Sequence, residues 1–115
     1  MQYIRRYIER NFNVYSGLEL EDLFFAILVE SKQFGKIGGY WDAKGHNVID
    51  IVAINHLDKK ILIAEVKRQQ KRYSKAKLIE KSHGLLQKLN LRNYDIEYRG
   101  FSLENLVETM EEYQA

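Results

Sequence analysis

An acidic residue stands inside one apolar run, V-I-D-I-V-A-I (Val48 to Ile54), and an E-x-K inside the next, I-L-I-A-E-V-K (Ile61 to Lys67). Charges inside strands need a reason, and the types and spacing of Asp50, Glu65 and Lys67 suggest one. Both runs are rich in β-branched residues, and Asn55 to Lys60 between them is polar enough to turn the chain back, so they read as an antiparallel hairpin. Centring the turn on Leu57-Asp58 sets Asp50 opposite Glu65 and Val48 opposite Lys67. Alternation then places Asp50 with Val48, Val52 and Ile54, and Glu65 and Lys67 with Ile61 and Ile63, so that the three charges share a face. Cβ atoms of opposed residues lie ~5 Å apart, and two carboxylates held there repel unless a cation or a proton sits between them. A hard divalent ion such as Mg²⁺ takes oxygen ligands of this kind together with water and phosphate, and a lysine two residues along can orient or deprotonate a water on it. That is machinery for cutting a phosphodiester. The same charges also fit a solvated salt-bridge ladder on the polar face of a hairpin, and a tripeptide alone does not separate the two.

The elements around the hairpin must position these groups. Ser16-Gly17-Leu18-Glu19 has the form of a capping box, and from Leu18 to Val29 apolar residues lie nearly all around, as in a helix buried between a sheet and other elements. Capping accounts for Glu19. Glu21, among Leu20, Phe24, Phe25 and Leu28, has no such explanation and is the candidate acid on the metal side, against the alternative of a surface glutamate favoured by the helix dipole. Gly35 to Trp41 leads into a first strand, turned by Ala43 to Asn47 into the Asp50 strand. Tyr40 and Trp41 could stack on bases or touch a nucleic-acid backbone, but strands take aromatics readily, and for Trp41 burial in the sheet is the favoured reading. Ser74 to Leu89 reads as a helix with Leu78, Ser82, Leu85, Leu86 and Leu89 on one face; Ile96 to Tyr98 as a short strand; and Ser102 as the cap of a final helix through Met110 and Tyr113. Gln2 to Phe12 reads as a short amphipathic lead-in helix.

The order long helix, strand, Asp strand, E-x-K strand, helix, strand resembles the core of the PD-(D/E)XK nuclease-like superfamily, an α/β restriction-endonuclease-like fold with a mixed sheet of about four strands (α-β-β-β-α-β). More closely, S-G-L-E-L-E-D-L-F, I-G-G-Y-W-D-A-K-G-H-N-V-I-D-I-V-A-I, I-A-E-V-K and E-Y-R-G-F-S are similar to the nuclease-like domain at the carboxyl end of certain archaeal and bacterial AAA-type ATPases. The resemblance implies a lead-in over residues 1–16, joined to an upstream ATPase domain, and a nuclease-like domain over 17–115. It implies a metal-dependent DNA endonuclease in which Asp50, Glu65, Glu21 and the carbonyl of Val66 hold Mg²⁺ or Mn²⁺ and Lys67 positions the attacking water. Superfamily members often place a polar residue early in the following helix, a place that Lys81 takes here unless it is a solvated lysine. Arg68 departs from the pattern, since many relatives carry an aromatic residue after the strand lysine. The rival reading is a nuclease fold without turnover that binds nucleic acid or protein for the ATPase.

Composition bounds these readings. The chain has 115 residues, enough for one compact domain, with 45% hydrophobic and 30% charged residues. Zero cysteines exclude disulfides, thiolate zinc sites and a thiol nucleophile. His46, His56 and His83 are dispersed without metal-ligand spacing. With no bilayer-length apolar run and a charged amino end, M-Q-Y-I-R-R-Y-I-E-R, the expectation is a cytoplasmic protein without a membrane partner, open to homodimer formation. The net charge of +2 matters less than its placement: Lys67, Arg68, Lys71, Arg72, Lys75 and Lys77 fall within eleven residues just after the E-x-K. Such a stretch could neutralise phosphates, DNA rather than RNA being favoured, or could be a solvated face.

Overall fold

The computed structural model describes residues 17–42, 45 and 47–113. Helix α1 (Gly17–Ser31) is followed by β1 (Lys36–Trp41), β2 (Val48–Asn55), β3 (Lys60–Val66), helix α2 (Lys75–Leu89), β4 (Asp95–Phe101) and helix α3 (Leu106–Glu112). The lead-in helix and the Ser16 cap expected from the sequence lie outside the described residues. The strands form one mixed sheet in the order β1-β2-β3-β4, antiparallel from β1 to β3 and parallel between β3 and β4. The fold is therefore the α/β class read from the sequence, with a four-stranded mixed sheet between helices.

Its logic is that of a sheet apolar on both faces. Ile51, Ala53, Leu62 and Ala64 pack against Leu20, Phe24, Ile27 and Leu28 of α1 and against Leu106 and Met110 of α3. On the other face Ile49, Val52, Ile54, Ile61 and Ile63 pack against Leu78 and Leu85 of α2. Phe24 and Phe101 stack with ring centroids 4.6 Å apart, tying α1 to the end of β4. Helix α2 is the crossover that two parallel strands require. Ser74 caps its start by accepting the Lys77 N–H at 3.3 Å, and Asn90, in the left-handed region at φ 48°, ends it.

The hairpin register agrees with the expectation over five Cα pairs, from Ile51–Ala64 to Asn55–Lys60, but the ladder stops there, so the expected pairs Asp50–Glu65 and Val48–Lys67 do not form. Two boundaries differ. β3 stops at Val66, although the Lys67 N–H still donates to the Phe101 carbonyl at 2.8 Å. β4 runs Asp95–Phe101, longer than Ile96 to Tyr98, because it pairs with all of β3. As an edge strand it tolerates Glu97 and Arg99, whose charges hide its length in the sequence. The final helix is shorter than expected, since a 3₁₀ turn over Leu103–Asn105 intervenes between Ser102 and α3.

Candidate functional site

Simple alternation breaks down at Asp50. Between the β1–β2 pairs Gly38–Val52 and Tyr40–Ile49, β1 contributes Gly39 while β2 contributes both Asp50 and Ile51. That is a β-bulge, a device that re-aims a side chain and bends the strand. Ile49, not Val48, therefore joins Val52 and Ile54 in the core beneath α2. The expectation that Asp50 stands with Val48, Val52 and Ile54 is corrected accordingly. Asp50 Oδ2 accepts the Val66 N–H of β3 at 2.8 Å. A backbone N–H lies in the sheet plane, so the carboxylate spans the gap just past the last β2–β3 pair. A Cβ at Gly39, opposite the bulge, would stand 3.4 Å from the carbonyl oxygens of Ile49 and Asp50, an ordinary van der Waals contact, so the bulge does not itself require a glycine there.

Glu65 lies one residue beyond the Ile51–Ala64 pair on β3 and is buried, with its side chain 7% exposed. A carboxylate so placed needs cations. Lys81 of α2 supplies one, Nζ standing 2.7 Å from Oε1, and Lys67 a second, 3.6 Å from Oε2. Lys81, two turns into the helix, is thus at the site. The Lys67 N–H faces β4, and neighbouring residues of a strand turn their backbone polar groups to opposite edges. The Val66 carbonyl consequently faces the same edge as its N–H, toward Asp50.

Two further residues belong here that sequence reasoning did not single out. The Tyr73 hydroxyl is buried without a hydrogen-bond partner, and burial, with the charge of Glu65 second, pushes its pKa up. Its ring lies over Gly100 of β4, where a Cβ would come within 2.3 Å of Cγ. The only sequence signal was an aromatic residue interrupting a basic run. Gln70 anchors the same loop, its Oε1 accepting from Ser102 Oγ at 3.0 Å and Asn105 Nδ2 at 3.1 Å.

Glu21, in the second turn of α1, feels this end of the sheet: burial, then Asp50, then Asp22 raise its carboxyl pKa above the ordinary value. Arg68, Lys71, Arg72, Lys75 and Lys77 are all exposed, and among the described residues none of the five side chains pairs with a carboxylate. Arg68, Gln69, Arg72 and Leu103 line a shallow groove. A larger hollow, whose lining includes Asn55, Asp58, Lys60, Asp95 and Glu97, touches none of the carboxylates at the β2–β3 end. Tyr40 is partly buried against the core beneath α2, with the Lys88 ammonium 5.7 Å from its ring centroid, whereas Trp41 is 72% exposed, contrary to the favoured expectation of burial. His56 Nδ1 lies 2.7 Å from the Tyr94 hydroxyl, away from any metal-ligand set.

Among the described residues no three His, Asp or Glu side chains gather closely enough to hold an ion by themselves. The donor set suits Mg²⁺ or Mn²⁺ nonetheless, because Mg²⁺ binds through one or two carboxylates and fills its shell with water and phosphate. Asp50 engages the Val66 N–H through Oδ2 and carries Oδ1 besides, Glu65 shares Oε2 with the more distant of its two lysines, and the Val66 carbonyl faces the gap. Glu21, Asp50 and Glu65 against Lys67 and Lys81 leave these five side chains one negative charge in excess.

No helix of the described residues is long and apolar enough to cross a membrane. No curated protein matches the chain, and no solved structure does. The profile of DUF234, described as archaea bacterial proteins of unknown function, matches residues 1–79, a stretch that carries Glu21, Asp50, Glu65, Lys67 and the whole basic run and stops two residues short of Lys81. Because that match spans more than half of the sequence, the chain belongs to this family of archaeal and bacterial proteins of unknown function.

Proposed function

We propose that this chain is a metal-dependent phosphodiesterase domain of the PD-(D/E)XK type that cuts nucleic acid, DNA in preference to RNA, as the carboxyl-terminal part of an AAA-type ATPase. The observation that carries the reading is the β2–β3 end of the sheet: a bulge directs Asp50 onto the backbone of the E-x-K strand, where buried Glu65 is held by Lys81 and Lys67. The resemblance of the surrounding sequence supports the superfamily and the ATPase, and the unpaired basic surface beside the site supports a polyanionic substrate.

Asp50, Glu65 and the Val66 carbonyl would hold the ion, with Glu21 adding charge from α1. Mg²⁺ or Mn²⁺ supplies Lewis-acid stabilisation of the charge that develops on the phosphate and activates water. The remaining work falls to the chain itself. Lys81 fixes the rotamer of Glu65 through the 2.7 Å contact and keeps Oε1 occupied. Lys67, 39% exposed and only loosely engaged at 3.6 Å, is free to turn from Glu65 and hydrogen-bond the attacking water. Arg68, Lys71 and Arg72 bind and align the flanking phosphates.

One observation favours a second reading, a nuclease fold that binds without turnover: both oxygens of Glu65 already face ammonium groups, so its burial is compensated without a metal. Cleavage of plasmid and branched DNA with Mg²⁺ or Mn²⁺ separates the two. Wild type should cut, and Asp50→Asn, which keeps an oxygen to accept the Val66 N–H, should not. Binding without cutting under every divalent ion tried would transfer the reading to the non-catalytic module.

A further inference from the structure

The loop that carries the basic run holds residues of two kinds. Arg68, Gln69, Lys71 and Arg72 are exposed, whereas Gln70 among them is half-buried. Its side-chain Oε1 accepts two hydrogen bonds, from Ser102 Oγ at 3.0 Å and from Asn105 Nδ2 at 3.1 Å, while its backbone N–H donates to Glu104 Oε2 at 3.1 Å. Asn105 is committed at both ends, Oδ1 accepting the Ser102 N–H at 2.8 Å and Nδ2 also donating to the Gly100 carbonyl at 2.9 Å. Ser102 is fully buried. One glutamine thus fastens the loop after β3 to the 3₁₀ turn after β4.

That junction matters because the shallow groove beside it takes its walls from both segments. Arg68, Gln69 and Arg72 come from the loop and Leu103 from the turn, so the groove exists only while the two are held together. The Arg72 N–H donates to the Gln69 carbonyl and the Tyr73 N–H to the Gln70 carbonyl, both at 3.0 Å, which carries the constraint from Gln70 on to Arg72. Among the described residues neither guanidinium pairs with a carboxylate. Glu104, which follows Leu103, gives Oε2 to the Gln70 N–H, and two positive charges stand against that single negative one. A guanidinium presents its donors in a planar fork that matches a phosphate. Two of them on one groove, unpaired and fixed by a buried polar network, make a preformed seat for an oxyanion. Asp50, Glu65, Lys67 and Lys81 do not line it, so this seat is separate from the one proposed for the metal.

We infer that Arg68 and Arg72 clamp one phosphate of the nucleic acid, other than the phosphate at Asp50 and Glu65, and that Gln70 is the residue that positions the clamp. This rests on the nucleic-acid reading above. Lys71 is exposed and does not line the groove, so it adds charge without a seat. A preformed clamp spares the complex the cost of ordering two long side chains and the loop that bears them. Loss of the Gln70 hydrogen bonds leaves every charge in place and restores that cost, so affinity falls by the same factor at every salt concentration. Loss of the arginines removes a phosphate contact together with its released counterions, so it changes the salt dependence itself.

The experiment measures affinity for duplex DNA against salt, in chelator to prevent cutting. Gln70→Met keeps the length of the side chain and loses its acceptor oxygen. It should bind about tenfold more weakly, the scale of ordering one or two long side chains, on a line parallel to that of wild type. Arg68→Ala combined with Arg72→Ala should instead flatten the line by about one contact and not two, because the two arginines share a phosphate. Ser102→Ala removes one of the two donors to Gln70; it should displace the line in parallel by less, and added to Gln70→Met it should change binding no further. Circular dichroism establishes which variants fold, and if Gln70→Met does not, the Ser102→Ala line decides. Wild-type affinity in the folded Gln70 or Ser102 variant would overturn the positioning role, and a wild-type slope or a loss of two contacts in the arginine variant would overturn the clamp. Either result leaves the nucleic-acid reading standing. Competition by polyglutamate as strong as that by DNA of equal charge would assign the groove to an acidic protein and overturn the inference. Failure of wild type to bind DNA at all would remove both the inference and the reading beneath it.

Discussion

Glu65 concentrates the risk at this site, because its buried carboxylate depends on two lysines of unequal quality. Lys81→Met removes the shorter contact and leaves Glu65 only the 3.6 Å partner; a chemical melt should show a loss of about 1–3 kcal/mol, with cutting reduced further because the rotamer of Glu65 is no longer fixed. Lys67→Ala should cost little stability and abolish turnover. Glu21 has the opposite sign. A carboxyl whose pKa is raised by folding adds stability while protonated, fully below its unfolded value, and loses it as pH rises through the folded value. Burial, Asp50 and Asp22 raise Glu21, so at neutral pH its charge opposes folding. Glu21→Gln should therefore raise the Tm at about pH 7.5, and the gain should vanish well below the ordinary 4.5. A gain independent of pH would show that charge is not its cause. Asp50, Glu65 and Lys67 were legible as residues because charge inside an apolar strand is conspicuous. Tyr73 was not, because its significance lies in a missing hydrogen bond, which no sequence displays.

At the level of elements, the hairpin was legible down to its register, since β-branched runs of matched length around a polar turn admit few alternatives. The bulge at Asp50–Ile51 was not, because V-I-D-I-V-A-I alternates no differently with or without the extra residue. Only the pairing with β1 reveals it. β4 was underestimated for a related cause: its charges are tolerable at an edge, and its length is set by β3 and not by its own composition. The contact of β4 with the loop before α2 makes a prediction of its own. A Cβ on Gly100 would fall 2.3 to 2.8 Å from ring and Cβ atoms of Tyr73, too close to be absorbed without moving the ring. Gly100→Ala should destabilise by about 1–3 kcal/mol, the usual cost of overpacking, and should displace Tyr73 from the neighbourhood of Glu65. Adding Tyr73→Ala to it should restore part of the loss, so that the double mutant is far from additive. Additive effects would mean that the ring and the glycine do not depend on each other.

For the molecule as a whole, catalysis and binding should separate, because the groups that hold the reacting phosphate and those that hold the rest of the strand occupy different elements. Lys67 closes β3, whereas Arg68, Lys71 and Arg72 sit on the loop and 3₁₀ turn before α2, and Lys75 at its start. Placing positive charge at a helix N-terminus runs against the helix dipole, a cost that binding a polyanion would offset. Each phosphate neutralised releases counterions, so the logarithm of affinity falls with the logarithm of salt with a slope of about 0.9 per contact on duplex DNA. Reversing Lys71, Arg72 and Lys75 together should flatten that slope by about three contacts and weaken binding alike for every sequence. Lys67→Ala should cost about one while eliminating cleavage. The converse variant, Asp50→Asn, should leave the slope of the metal-free protein nearly unchanged and still fail to cut, since it alters a metal ligand and not a phosphate contact. Measuring all three slopes in chelator, and all three cleavage rates in Mn²⁺, yields a matrix that a merely solvated basic face cannot reproduce: such a face would leave the triple reversal with the slope of wild type.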